Sequence, residues 1–427
     1  MRKIIQIFKI KELRNKILVV AFLLVCFRIL AVIPIPGVDA GKLNEFLSSS
    51  QLFGFLSLFS GGGLETLSFV MLGVAPYITA TIIMQLLTMI FPRMKEIYYE
   101  EGAAGRAKFN RYSRYLTVPL AALQAYGFLN LLASQGVIET FGWFEILRNV
   151  SLISAGSMIL VWLGELITEQ KIGNGISLII FSGIVSGLPS IVQQLYFDYQ
   201  TGTMEIDKIM VFIVIGLIVI AGVVFIQEGE RKIPIAYAKQ VRGMKMYGGA
   251  SSYLPIKVNS AGVIPIIFAI SILLFPQFIA QISGVFSESL SLKLNEWVTR
   301  LFNSQNNPYF YSSFYFFLVV IFTYFYTAVT FDPKEISKNL QRAGGFIAGI
   351  RPGESTTSAL SKIISRLTFS GAIFLGLIAI LPNITQIITG IQALTLGGTA
   401  LLIVVSVALE SMKQINSQLV MREYEGI

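Results

Sequence analysis

The sequence contains few side chains that could act as acids, bases, nucleophiles or metal ligands. Histidine is absent from the 427 residues, so the most common general base and the most common transition-metal ligand are both missing. Arg28, Glu165 and Glu169 lie in or beside apolar segments, each close enough to a segment end to reach water. No serine elbow, paired aspartates or metal-ligand cluster occurs in the sequence. These residue types predict a protein that is not an enzyme and needs no cofactor or metal.

Two short motifs could hold a ligand or form a turn. Residues 171–175, Lys-Ile-Gly-Asn-Gly, resemble a phosphate-binding loop, but the lysine and hydroxyl residue that complete a P-loop do not follow. A tight turn between two apolar segments is therefore predicted there. Residues 351–354, Arg-Pro-Gly-Glu, predict a compact charged turn, which is either a solvated loop tip or a contact point for a partner.

The segments that carry these residues have the composition of a membrane protein. Hydrophobic residues make up 54% and charged residues 13%, with a mean hydropathy of +0.70, whereas about a quarter of the residues in a soluble domain are charged. No long polar stretch could fold separately, so one polytopic membrane unit is predicted. The single cysteine, Cys26, permits no intrachain disulfide.

Hydrophobic windows predict an all-α fold with ten transmembrane helices. Their approximate limits are residues 17–33, 67–91, 112–133, 150–168, 175–194, 209–227, 259–283, 310–331, 367–385 and 390–409. The inside segments and adjoining span ends hold 27 lysines and arginines, the outside segments hold five, and Arg28 lies within the first span. This asymmetry predicts that both termini are cytoplasmic. The five outside residues are Lys42, Arg148, Lys208, Lys293 and Arg300.

The predicted organisation has two halves and several peripheral pieces. Residues 1–16 form a basic amphipathic N terminus at the membrane surface. The N-terminal half is 17–194, an outside connector is 195–208, the C-terminal half is 209–409, and the cytoplasmic tail is 410–427. Two long cytoplasmic loops, 227–258 and 331–366, each carry six basic residues among glycine and proline turn signals. They are longer than a tight connection needs, so we expect a large partner to bind there.

The two halves are predicted to form an inverted repeat. Pro76 lies in the second span, and Pro265 lies in the second span of the other half. Because each half has an odd number of spans, equivalent spans run in opposite directions, and such a repeat places the working site between the halves. Proline is common in membrane helices, so these two prolines alone do not establish the repeat.

A short apolar segment precedes the second span. Residues 51–59 are too few to cross a bilayer, which requires about 20 residues, and a Ser-Gly-Gly-Gly hinge follows at 60–63. Interrupted segments of this kind are tolerated where they line a cavity inside a membrane protein. We therefore expect a pore here, with the short segment able to move.

Side chains within the spans suggest a pore lining and a seam. Val74 and Ile78 lie one turn apart on one helix face, as do Ile176 and Ile180. They could line a site or contact lipid or the core. Polar side chains could form hydrogen bonds between helices, worth at most about 1–2 kcal/mol each, either in a seam that opens or in ordinary packing. These residues are Thr79, Thr81, Gln85, Gln124 and Asn259.

The order of several motifs resembles the SecY/Sec61 family of protein-conducting channels over essentially the whole chain. In the first half these are Phe-Arg-Ile (27–29), Ile-Pro-Ile-Pro-Gly (33–37), Phe-Ser-Gly-Gly (59–62), Pro-Tyr-Ile (76–78), Gln-Leu-Leu (85–87), Glu-Gly (101–102), Arg-Tyr (111–112), Trp-Leu-Gly-Glu (162–165) and Ile-Gly-Asn-Gly-Ile-Ser (172–177). In the second half they are Leu-Pro-Ile-Lys-Val-Asn (254–259), Gly-Val-Ile-Pro (262–265), Arg-Pro-Gly (351–353) and Gly-Gly-Thr (397–399).

The resemblance implies two inverted, pseudo-symmetric five-helix halves around a central pore, and it implies site residues. The constriction ring would be Val74, Ile78, Ile176, Ile180, Ile267 and Ile403. A plug at residues 51–62 would include Leu52, Phe53, Phe55, Leu56, Leu58, Phe59, Gly61 and Gly62. A lateral gate between spans 2 and 7, flanked by spans 3 and 8, would include Thr79, Gln85, Gln124, Asn259 and Ile270. Motor or ribosome docking would involve Lys245, Arg351 and Gly353.

The resemblance also implies the function. Such a channel passes unfolded preproteins across the plasma membrane and releases transmembrane segments laterally into lipid. Its partners would be the small membrane subunits SecE and SecG, the motor ATPase SecA, the ribosome, signal sequences and preproteins, and membrane lipid. A secondary solute transporter with an inverted repeat is the alternative, disfavoured because no carboxylate is evident near mid-membrane. An intramembrane hydrolase is disfavoured by the lack of histidine and of a nucleophile constellation.

Overall fold

The computed structural model describes residues 10–36, 63–64, 66–99, 101–134, 136, 138, 142–202, 206–237, 240–242, 245–247, 251–283, 288–302, 307–389 and 397–424. The predicted plug at 51–62 and most of the predicted N-terminal amphipathic segment lie outside these residues. The described helices are α1 (Lys11–Val32), α2 (Ala75–Ile90), α3 (Pro92–Tyr99), α4 (Gly102–Ser134), α5 (Trp143–Glu169), α6 (Gly175–Gln200), α7 (Ile206–Glu228), α8 (Ile264–Ser283), α9 (Glu288–Phe302), α10 (Pro308–Thr330), α11 (Pro333–Arg342), α12 (Glu354–Thr389) and α13 (Gly397–Tyr424).

The predominantly helical membrane fold is confirmed. Each predicted span overlaps one of the helices α1, α2, α4, α5, α6, α7, α8, α10, α12 and α13. Within the described residues, five helices are long and apolar enough to cross a membrane, or six if the bent pair α2–α3 forms one span. Shorter apolar helices lie in α6, α7 and α8. The number of ten spans therefore stays a prediction.

The second span differs from its predicted limits of 67–91. Residues 67–73 form turns, and helix α2 begins at Ala75, with Pro76 in its first two positions. Proline is favoured there because its missing N–H would have no partner in the helix and its backbone is already in helical geometry. Pro76 therefore starts the helix instead of interrupting it. At the other end, Pro92 begins α3, and the chain bends by 113°.

A Gly-Val-x-Pro sequence begins the second helix of each half in the same way. Gly73 and Gly262 have φ values of 57° and 64°, a left-handed conformation that favours glycine. Pro265, like Pro76, is the second residue of its helix. The first helical hydrogen bonds also correspond, since Ile78 N–H donates to Val74 O at 3.1 Å and Ile267 N–H donates to Val263 O at 3.3 Å. This shared geometry supports the predicted repeat, which the prolines alone did not establish.

The turns before α2 form a re-entrant segment packed inside the protein. Ile35 N–H donates to Leu67 O at 2.9 Å, Phe69 N–H donates to Ile33 O at 3.2 Å, and the Thr66 hydroxyl donates to Ala31 O at 2.7 Å. These bonds supply partners for non-helical backbone at membrane depth, where water cannot. Together with α4 and α5, the segment forms an apolar cluster. Its members are Ile35, Leu64, Leu67, Met71, Leu72, Ala125, Phe128, Leu129, Leu132, Ile138 and Ile153.

The two predicted halves meet along two lines of contact. On one side α8 packs against α2 and α4, and on the other α13 packs against α6. At the second contact the Gln418 amide donates to Lys171 O. Lys171 belongs to the turn 171–174 that joins α5 and α6, so the tight turn predicted from the glycines is confirmed.

The two loops predicted to be cytoplasmic, 227–258 and 331–366, form one structure with strands, which was not predicted. The described strands are β1 (Glu230–Tyr237), β2 (Gln240–Arg242), β3 (Lys245–Tyr247), β4 (Ser251–Lys257) and β5 (Gly345–Ile347). The antiparallel sheet β4-β1-β5 takes two strands from the first loop and one from the second. Ile233, Ile256 and Ile347 pack against Leu360 and Ile364 of α12, which begins at Glu354, well before the predicted span. Alternating apolar residues on one sheet face explain this core.

Three other segments contain helix where none was predicted: the connector 195–208, the tail 410–427 and the segment between the seventh and eighth spans. The connector 195–208 is shortened because α6 continues to Gln200 and α7 begins at Ile206. The tail is an extension of α13 to Tyr424. Helix α9 occupies part of the outside segment between the seventh and eighth spans, where no helix was predicted because its hydropathy is too low for a span.

A substitution at Gly156 tests the packing of the re-entrant segment. A Cβ atom on Gly156 of α5 would lie 2.3 Å from Phe69 O, so Gly156→Val must displace backbone. Overpacking of this kind costs about 1–3 kcal/mol or more. Gly216→Val in α7 is the control, because a Cβ there meets no atom within 4 Å. The Tm in detergent should fall for Gly156→Val and change little for the control; equal Tm values would contradict the packing.

Candidate functional site

Five of the six predicted ring residues are buried in one central hydrophobic cluster. Val74, Ile78, Ile180, Ile267 and Ile403 are at most 8% exposed. The sixth, Ile176, is half-buried and packs against the same cluster. These residues come from α6 and the start of α2 in the N-terminal half and from α8 and α13 in the C-terminal half. Both halves therefore contribute ring candidates to one apolar cluster, and Ile78, Ile176, Ile180 and Ile267 line one common cavity.

Val263 belongs to the same cluster and was not among the predicted residues. It is 8% exposed. In the Gly-Val-x-Pro repeat it corresponds to Val74, just as Ile267 corresponds to Ile78. The sequence alone could have identified Val263, because aligning the two Gly-Val-x-Pro sequences pairs it with the predicted ring residue Val74.

A cavity of about 710 Å³ lies against this aliphatic cluster. Ile78, Ile176, Ile180 and Ile267 line one part of it. Its other lining residues include Glu169 and Asn174, which flank the turn between α5 and α6 and so lie at the predicted cytoplasmic side. We call this cavity the vestibule. Aliphatic side chains line one part of it, and polar and charged side chains line another.

The walls of the vestibule differ in chemistry between the halves. Its charged lining residues come from α4 and α5 of the N-terminal half, and they are Arg111, Arg114, Glu165 and Glu169. The C-terminal half contributes apolar and aromatic side chains, which are Ile264, Ile267, Phe268 and Tyr326. A polypeptide contains both polar groups and apolar side chains, so a cavity with two unlike walls can contact a segment of mixed composition.

An ion pair holds two helices of the charged wall together. Arg114 Nη1 lies 3.0 Å from Glu165 Oε2, which joins α4 to α5. Their side chains are 40% and 33% exposed, so solvent screens the pair and its contribution is about 1 kcal/mol or less. Glu165 was predicted only to be solvated at its span end; it is instead paired. Among the described residues, no group of three or more His, Cys, Asp or Glu could hold a metal.

The polar residues predicted for the gate do not bond across the contact of α8 with α2 and α4. The Thr79 hydroxyl donates to Ala75 O at 3.0 Å within its own helix. The Asn259 amide donates to Gln227 Oε1 at 2.9 Å and to Gly262 O at 3.0 Å, both in the C-terminal half. Gln85 Oε1 is buried at the vestibule and has no partner among the described residues.

Apolar side chains dominate this contact instead. Ile270 of α8 is 6% exposed and belongs to the central cluster. Gln124, the remaining gate candidate, is half-buried on α4. Across the contact, Ile78 and Ile82 of α2 belong to the same cluster as Ile270. Within the C-terminal half, Phe268 packs edge-on against Phe322 and Tyr326 of α10, with ring centroids 5.9 and 6.2 Å apart. The contact is therefore held by burial of apolar surface, which is non-directional.

The predicted docking residue Arg351 is presented by a well-fixed turn. Gly349 and Gly353 have φ values of 82° and 101°. The Ser337 hydroxyl donates to Gly353 O at 3.0 Å, and the Thr356 hydroxyl donates to Arg351 O at 2.9 Å. The Arg351 side chain is exposed at this turn. Lys245 lies on the separate hairpin β2–β3, opposite Arg242 in the register.

Comparisons with known proteins decide the family. The model of the SecY family matches residues 68–412 of this chain. The protein translocase subunit SecY of Corynebacterium glutamicum is 42% identical over 447 aligned positions, which cover 100% of both chains. The chain belongs to the SecY family.

Solved structures agree with this assignment at the level of the fold. The structure described as that of a protein conducting channel has a TM-score of 0.66 and 21% identity, and the match covers 94% of this chain and 91% of the other. Sec61 in the canine ribosome–channel complex from the endoplasmic reticulum has a TM-score of 0.64 and 19% identity, with the same coverage. The SecY-family fold extends over nearly the whole chain.

Charge exchange tests the ion pair in the vestibule wall. Arg114→Glu or Glu165→Arg alone places like charges together and should lower the Tm, whereas the double exchange should recover most of the loss. We expect a coupling of about 0.5–1 kcal/mol for this half-exposed pair. The pair Lys16–Glu12, 3.3 Å apart, is the control, because both residues lie on α1 and the pair joins no second helix. Double variants as unstable as the sum of the singles would contradict the pairing.

Proposed function

We propose that this SecY-family chain forms the channel through which unfolded preproteins cross the plasma membrane, with the polypeptide passing between its two halves. The observation that carries this proposal is the aliphatic cluster between the halves, which closes the vestibule. The predicted pore ring lies in that cluster, and both halves contribute to it. A passage at this place needs no new cavity, only separation of side chains that already meet there.

The aliphatic ring provides the seal of the channel. Side chains such as Ile78 and Ile180 offer an ion no oxygen or nitrogen ligand, so a narrow constriction between them excludes water and ions. The same side chains contact a polypeptide through dispersion forces, which do not depend on its sequence. A ring of aliphatic side chains therefore blocks ions when the channel is closed and accommodates a polypeptide of any sequence during translocation.

The contact of α8 with α2 and α4 is the lateral gate. Thr79, Gln85, Gln124, Asn259 and Ile270 lie on these helices or immediately before α8. Because the hydrogen bonds of Thr79 and Asn259 stay within their own halves, opening this contact breaks none of them. The cost of opening is the exposure of apolar surface. An apolar signal sequence or transmembrane segment that occupies the opening offsets this cost, since it covers the same surface.

Both termini are cytoplasmic in this proposal, and the sheet β4-β1-β5 with the Arg351 turn is the docking platform. The basic residues of the two loops favour an acidic partner surface, either the motor SecA or ribosomal RNA. A Sec61 structure bound to a ribosome has the same fold. SecE and SecG are the expected membrane subunits. The chain supplies the path, and the motor or ribosome supplies the energy.

Removal of the aliphatic ring should make the closed channel leak. Replacing Ile78, Ile176 and Ile180 by serine introduces hydroxyl groups that hydrate the constriction, so ion conductance in planar bilayers should rise several-fold. The control replaces Ile213, Leu217 and Ile218 of α7 by serine, because these side chains are 54–65% exposed on the outside of the protein. Unchanged conductance in a folded ring variant would contradict the assignment.

Charge reversal at Arg351 should impair the motor and spare the seal. Arg351→Glu replaces a cation on a fixed, exposed turn, so motor-driven secretion into proteoliposomes should fall while resting conductance and Tm stay unchanged. Arg93→Glu on α3, another exposed cytoplasmic cation, is the control. Normal secretion by the Arg351 variant would remove this residue from the docking platform.

A further inference from the structure

Helix α9 is an amphipathic helix whose exposed face is not explained by the channel itself. It follows α8, and it packs against both α8 and α10. Leu294, Val298 and Leu301 are half-buried, at the spacing of one helix face. The Asn307 amide donates to Arg300 O at 2.7 Å and fixes the end of the helix beside the start of α10. The inner face of α9 is thus attached to two membrane helices.

The outer face of α9 combines an aromatic ring with two cations. Lys293, Glu296, Trp297 and Arg300 lie at i, i+3, i+4 and i+7, so they form one stripe along the helix with a net charge of +1. All four are exposed, and Trp297 is 69% exposed. Tyr309, at the start of α10, is 75% exposed. Tryptophan and tyrosine are concentrated at membrane–water interfaces, where the ring meets lipid and its polar group meets water.

The distribution of basic residues makes this stripe unusual. Only five lysines and arginines fall in the predicted outside segments of the whole sequence, and Lys293 and Arg300 are two of them. They lie one turn on either side of an exposed tryptophan. A protein interface generally has an apolar core from which charged residues are depleted, whereas this stripe has one apolar ring between charges. Its chemistry instead matches lipid, with phosphate for the cations and the acyl boundary for the indole.

We propose that α9 lies in the outer membrane interface and binds anionic phospholipid headgroups through Lys293 and Arg300, with Trp297 inserted between them. The inference rests on the proposed orientation, which places α9 outside. Because α9 is joined to α8, the lipid contact holds the outer end of the helix that forms one side of the lateral gate. The outer leaflet therefore stabilises the position of α8.

Tryptophan fluorescence in lipid bilayers tests this position directly. The sequence has three tryptophans, so Trp143→Phe with Trp162→Phe leaves Trp297 alone. The full chain, in its complex with the small subunits, is placed in bilayers with or without lipids brominated near the headgroup end of the acyl chain. We expect a loss of roughly half of the Trp297 emission in brominated lipid, as for an interfacial ring.

Two matched variants calibrate the measurement. A chain that retains only Trp162, which is 59% exposed within α5, reports a ring in contact with lipid. A tryptophan-free chain with Tyr253→Trp reports an exposed ring on the cytoplasmic sheet, since Tyr253 is 58% exposed on β4. Quenching of Trp297 close to that of Trp162 supports the proposal. Quenching no greater than that of the Tyr253→Trp chain overturns it, whether water or another protein covers α9.

The headgroup contact is tested separately with Lys293→Gln and Arg300→Gln. In the chain that retains only Trp297, adding phosphatidylglycerol to phosphatidylcholine should increase the quenching, and the double variant should abolish this increase. An equal increase in the double variant overturns the role of the two cations.

Orientation is checked by labelling Ser289→Cys, in a Cys26→Ser background, with a membrane-impermeant thiol reagent. Labelling from outside without lipid quenching rejects the lipid site and leaves the proposed topology intact.

Discussion

Burial of aliphatic side chains where the two halves meet is the interaction on which the rest of the structure depends. Most backbone bonds of the described residues are made within one half: helices form their internal bonds, and the re-entrant segment bonds to the end of α1, while the Gln418 amide donates to Lys171 O at the contact of α13 with α6. The contact of α8 with α2 and α4 therefore carries no obligatory backbone pairing. Its non-directional contacts can separate and re-form without breaking the hydrogen bonds of Thr79 or Asn259, as a channel for polypeptides requires.

The sheet of the proposed docking platform is connected to α8 and α7 by short segments of chain. Strand β4 ends at Lys257 and α8 begins at Ile264, while β1 follows α7 with one residue between them. Strand β5 ties the second loop to this same sheet, and α12 packs beneath it. In the proposed function, a motor or ribosome bound at the Arg351 turn or the sheet would therefore act on α8 and α12 together.

Hydropathy predicted the helical membrane fold, and the glycines predicted the tight turn at 171–174. The six ring residues were implied by the resemblance to the SecY family, and their role in a pore stays a prediction. The sequence did not predict that residues 67–73 are non-helical, because hydropathy cannot distinguish lipid contact from burial in protein. The need for a glycine at 156 becomes clear only in the structure, where Phe69 O lies too close for a Cβ atom. The sheet joining the two loops depends on pairing Ile235 with Ile347, more than a hundred residues apart. Val263 was missed because Val74 was not compared with its counterpart in the repeated Gly-Val-x-Pro sequence of the C-terminal half.

Site-specific photocrosslinking of a polypeptide halted during translocation tests the central claim most directly. A photoreactive amino acid is placed at Ile78, Ile180 or Ile267 in the central cluster, or at Leu217 on the outside of α7 as the control. Passage between the halves predicts crosslinks to the halted polypeptide from the three cluster positions and none from Leu217. Crosslinks from Leu217, or none from the cluster, would contradict passage through this contact.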